Sequence, residues 1–118
     1  MLPSSYHHIL EKLHDSNHFY FAKLLVNITD MESMNDWWEQ FKTSSNLKLS
    51  KVSSKVNPKP SDPFISLFRA ECKCRRKCST YVTLYLQRMD SSREKKLYRK
   101  SNPDHNLVVK LYLTHCKY

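Results

Sequence analysis

The chain has 118 residues and a net charge of +9, so a single domain with a modest core is expected, one that a metal or cross-link would strengthen. Glycine is absent, which excludes Gly-rich phosphate loops of the P-loop and dinucleotide types and leaves turns to Asn, Asp, Ser and Pro. No apolar run is long enough to span a bilayer, and the opening "MLPSSYHHILEKLHDS", interrupted by His7 and His8, does not read as a secretory signal.

Tyr6, Ile9, Leu10 and Leu13 recur at helical spacing, which predicts a short helix over 6–14 within an N-terminal helical segment, residues 1–18. "HFYFAKLLVNI" follows, and its β-branched and aromatic content predicts a strand over 22–28. In "TDMESMNDWWEQF", Thr29 and Glu32 fit a capping box, with Asp30 as the alternative N-cap. Met31, Met34, Trp37, Trp38 and Phe41 then recur at helical spacing. Such a stripe packs into a core far more often than it binds a ligand, so the helix is expected to bury Trp37, Trp38 or both.

"NLKLSKV" alternates as a strand with Leu47, Leu49 and Lys51 on one face, and the proline-rich "SSKVNPKPSDP" is a loop. "FISLFRAEC", "STYVTLYLQR" and "NLVVKLYLTH" are strands. The polar, basic "MDSSREKKLYRKSNPDH" before the last of them reads as a long hairpin loop with room for a short helix. The expected class is α+β: a four- to five-stranded antiparallel sheet with one or two packed helices.

Charge is uneven along the chain. Residues 1–62 hold seven Lys and seven acids, whereas residues 63–118 hold thirteen Lys plus Arg against four acids and carry all four cysteines. A basic region of this kind fits a polyanionic partner; a solvated basic surface is the plainer reading. Cys72 and Cys78 are separated by five residues across the join between two predicted strands, Cys74 is an alternative to Cys72, and His115 and Cys116 end the last strand. Hairpin pairing would return that end to the cysteine corner, and two thiolates with two distant His or Cys ligands make a closed tetrahedral zinc site. Nearby cations would lower the thiol pKa values and favour Zn2+. A disulfide from Cys72 or Cys78 to Cys116 is the competing arrangement, disfavoured in a reducing compartment. His7, His8, His14 and His18 fit solvated or capping roles, and His105 is a loop residue that could stand in for Cys116 as a ligand.

The stretch "FRAECKCRRKCSTYVTLYL" followed by "LVVKLYLTHCKY" resembles the zinc-binding DNA-binding domains of the WRKY and glial-cells-missing superfamily. It is closest to those at the front of Mutator-like transposases and transposase-derived proteins, where "VNITDMESMNDWWEQF" also has a counterpart ahead of the zinc domain. The resemblance spans residues 19–118. Cys72, Cys78 and His115 match three ligand positions; the fourth falls at Lys117, so Cys116 would substitute by a shift of one residue. The WRKYGQK reading motif is absent, so base recognition does not carry over.

The resemblance implies a nuclear, non-enzymatic DNA-binding module with zinc at one end of the sheet and no small-molecule substrate. Arg69, Lys73, Arg75, Arg76 and Lys77 would contact DNA near the metal, and Arg93, Lys95, Lys96, Arg99 and Lys100 would form a second patch. The alternative is a regulatory interaction domain of transposase ancestry with an eroded metal site and no DNA binding. A secreted, disulfide-bonded protein that binds acidic glycans is a third class.

Overall fold

The computed structural model describes residues 2–45, 47–55, 59–73, 79–88 and 104–114. Their strands are β1 (His8–Asp15), β2 (Phe19–Val26), β3 (Leu49–Lys55), β4 (Phe64–Cys72), β5 (Tyr81–Gln87) and β6 (Leu107–Thr114), and the helix is α1 (Met31–Ser45). The strands form a six-stranded sheet in the order β1-β2-β6-β5-β4-β3, with every neighbouring pair antiparallel. The α+β class and antiparallel sheet are as expected. The strand count is higher, because the segment expected to be the first helix is strand β1.

The reason lies in one irregularity. Leu10 pairs with Leu24 and Leu13 with Ala22, and the register shifts between Leu10 and Lys12. Partners two apart on β2 therefore face residues three apart on β1. A bulge of this kind keeps both leucines on one face, and its three-residue step is what gives the segment helical spacing. The other edge strand, β3, has a similar shift between Lys51 and Ser53. Bulges and charged side chains on both edges discourage pairing with further chains. The β1–β2 turn is built without glycine: the Ser16 Oγ accepts the N–H groups of His18 and Phe19, both at 3.2 Å.

Helix α1 is capped by Asp30 rather than by Thr29. Asp30 Oδ2 accepts the Ser33 N–H at 2.9 Å, and this bond to the charged form is the main reason the Asp30 carboxyl titrates below its usual range. The helix buries Met34, Trp37, Trp38 and Phe41, four of the five residues of the periodic stripe, and leaves Met31 half-buried. Trp37 stacks on Phe41 with centroids 5.2 Å apart, and Trp38 meets Phe68 edge-to-face at 5.1 Å. Beneath the helix, registered rows cross four strands: Ala22–Leu111–Val82–Ala70, then Leu24–Val109–Leu84–Phe68. All of these side chains are buried, so one face of the sheet and one stripe of α1 make the core. Among the described residues, no helix is long and apolar enough to cross a membrane.

Candidate nucleic-acid interface

Of the predicted metal and DNA-contacting residues, the structure describes Arg69, Cys72 and Lys73. Cys74, Arg75, Arg76, Lys77, Cys78, Arg93, Lys95, Lys96, Arg99, Lys100, His115 and Cys116 lie outside the described residues. Among the described residues, no group of three or more His, Cys, Asp or Glu side chains could hold a metal ion.

The described strand ends nevertheless converge. Cys72, a half-buried free cysteine, closes β4 and donates its N–H to the Thr80 carbonyl at 3.0 Å. The Thr80 Oγ1 accepts the Thr114 N–H at 2.9 Å and lies 3.1 Å from the Thr114 hydroxyl. One threonine, two residues after Cys78, thus ties the end of β4 to the end of β6, where His115 follows. Strand alternation puts Cys72 on the helix face with Phe68 and Ala70, and Arg69 on the opposite face.

That opposite face has a pattern of its own. Its residues are the other parity of each strand, and the registers line them up in transverse rows. One row runs Lys12–Lys23–Lys110–Thr83–Arg69 across β1, β2, β6, β5 and β4. The adjacent row runs His14–Phe21–Tyr112–Tyr81–Glu71 over the same strands. Lysines opposite one another, as in Lys12–Lys23 and Lys23–Lys110, repel and cost stability. Two carboxylates temper the row: Glu11 pairs with Lys23 and Glu71 with Arg69, each at 3.0 Å.

Three rings of this row stack with Phe19, which stands two residues before Phe21 on β2: His14 on Phe19 at 4.8 Å, Phe19 on Tyr112 at 5.3 Å and Tyr112 on Tyr81 at 5.2 Å. The Arg69 guanidinium lies 4.0 Å over the Tyr81 ring and closes the series. Beside it, Arg69, Glu71, Ser79, Thr80, Tyr81 and Tyr112 enclose a hollow of about 320 Å³. On this face Lys12 and His14 are exposed, the other residues of the two rows are half-buried, and Leu25 and Val108 are buried. The local signal for this face is present in the sequence: in "YVTLYL" the aliphatic residues hold one parity and Tyr81, Thr83 and Tyr85 the other.

A third cluster joins the N-terminal segment to the helix. The Trp37 Nε1 donates to His8 Nε2 at 2.9 Å, the Tyr6 hydroxyl donates to Asp36 Oδ2 at 2.6 Å, and His7 Nδ1 lies 2.9 Å from His105 Nε2. The bond to Asp36 is the main reason the Tyr6 phenol is pushed up to about 12. Burial, then the nearby His7, holds both His8 and His105 below the usual imidazole value.

The folded state therefore favours neutral rings at both positions, and the unfolded state binds more protons below about pH 6.5. Stability is complete above that value and falls as pH drops through it toward the lower folded pKa values. A thermal unfolding midpoint that falls between about pH 7.5 and pH 5, before most carboxylates titrate, is the expected result. His8→Gln, which keeps an acceptor for the indole without a titrating ring, should lose less over the same range.

No family model, no curated protein and no solved structure matches the chain.

Proposed function

We propose that this chain is a DNA-binding module of WRKY-like, transposase-derived type, working in the nucleus and stabilised by one structural zinc ion. The observation that carries the reading is the convergence of strand ends at Thr80. It brings Cys72, the residue two positions after Cys78 and the residue before His115 to one end of the sheet. Cys72 or Cys74 with Cys78, His115 and Cys116 would then hold the metal, which fits the thiolate-rich donor set that zinc prefers.

The basic run Lys73 to Lys77 joins the end of β4 to the approach to β5, so a metal-tied corner would also be the most basic connection in the chain. Phosphate contacts from that corner supply affinity and register without reading sequence. A tied connection loses less conformational entropy on binding than a free one.

Elemental analysis of the purified protein should find about one zinc per chain, and chelation should lower its thermal stability. A metal-free protein whose cysteines all react freely in the folded state would overturn the zinc assignment.

A further inference from the structure

We propose that the sheet face opposite α1 binds single-stranded nucleic acid. Resting on the nucleic-acid reading above, it assigns that reading a surface and a strand state. The strand runs across the β-strands, with phosphates along the cation row and a base in the hollow beside Tyr81.

Three observations carry this. First, the row Lys12–Lys23–Lys110–Thr83–Arg69 keeps like charges directly opposite one another across β1, β2 and β6. Four cations against two carboxylates on this face make it complementary to a polyanion, and the four inter-strand steps span about 19 Å. Folding alone gives no reason to align lysines in this way.

Second, the adjacent row supplies aromatic rings at the same strand positions. A single strand offers phosphates and flat bases side by side, whereas a duplex hides its bases in the stack. Two parallel rows, one cationic and one aromatic, match the single strand.

Third, the ring series has a usable end. Its inner rings stack on each other at 5.2 to 5.3 Å and so present edges rather than faces. The outer face of Tyr81 is different: it already accepts a planar cation, the Arg69 guanidinium, at 4.0 Å. Guanidinium planes and bases occupy the same place on an aromatic face. The hollow lined by Arg69, Glu71, Ser79, Thr80, Tyr81 and Tyr112, about 320 Å³, lies at the small end of the range for ligand pockets. Arg69 can turn from Tyr81 toward a phosphate as the base arrives, and Glu71 is placed to accept from a base amino group.

The test uses the whole chain and three probes: oligo(dT), oligo(U) and a mixed-sequence duplex, each titrated by fluorescence anisotropy over a range of salt. Tyr81→Val and Tyr112→Val remove the rings while keeping β-branched residues suited to strands. Tyr81→Phe keeps a ring, and circular dichroism of every variant checks the fold.

Tyr81→Val should weaken binding of single strands about 5- to 150-fold with the salt slope unchanged, because stacking releases no counterions. Tyr81→Phe should restore most of that affinity, and the duplex should be little affected. Similar losses with oligo(dT) and oligo(U) mean that the face takes either sugar; a loss confined to one names the strand. Equal losses for duplex and single strands, or a parent protein that binds duplex and ignores single strands, would overturn this proposal while leaving the nucleic-acid reading in place. Failure to bind any of the three probes at low salt would overturn both.

Discussion

Replacing Trp37 with Ala is expected to destabilise the protein by about 3–5 kcal/mol. The side chain is fully buried and stacks on Phe41 with only 6° between the ring planes. Its removal leaves a large void under α1, whose neighbours can collapse only in part. It also removes the donor to His8 Nε2, so a half-buried ring loses its partner. Domains of this size are stable by about 5–15 kcal/mol, so the variant should be close to the limit of folding. Urea unfolding followed by far-UV circular dichroism measures the loss. A surface change such as Lys12→Ala should stay within about 0.5 kcal/mol. A loss below about 1 kcal/mol for Trp37→Ala would mean that the helix is not held by this stripe.

The second large effect concerns nucleic acid. Replacing Arg75, Arg76 and Lys77 together with Ala should weaken binding across unrelated sequences and flatten the salt dependence by roughly one unit of slope for each phosphate no longer neutralised. The matching control has to be chosen in space rather than along the chain. Lys12 and Lys23 belong to the neutral half of the sequence, yet they share a row with Lys110 and Arg69. Lys42, Lys51 and Lys59 are the better set, because the Lys48 carbonyl accepts the Lys73 N–H and so borders the corner, whereas Lys59 precedes the other end of β4. Lys42 approaches Trp38, Lys51 lies over Phe68 at 4.4 Å, and both rings belong to the helix side. Their joint replacement should change binding much less. Equal losses from the two triple variants would mean that net charge alone drives association.

What the sequence disclosed follows from how local each signal is. Helix α1 was legible because its cap and its apolar stripe lie within a dozen residues, and the structure buries four of the five residues that the spacing singled out. Even there the cap moved from Thr29 to Asp30, since two adjacent residues carry acceptors of similar quality. Strand β1 was illegible because a single bulged residue turns a period of two into a step of three. The rows opposite α1 were half legible. Parity within each strand can be read directly, but the adjacency of β2 and β6 joins residues that are far apart in the chain. Nothing in Lys23 predicts that Lys110 will sit opposite it. Charge asymmetry along the chain was therefore a poor guide to charge in space. The cysteine corner stands between these cases: the ends of β4 and β6 meet at Thr80 as hairpin pairing implied, and the remaining candidate ligands lie outside the described residues.

The measurement that bears most directly on the nucleic-acid reading is binding of the parent protein to mixed-sequence DNA, single- and double-stranded, as salt is varied. Affinity should be present at low salt and fall linearly on logarithmic axes as salt rises, with a slope of about −0.9 per phosphate contact on duplex and about −0.7 on a single strand. A folded protein that binds neither form at low salt would contradict that reading.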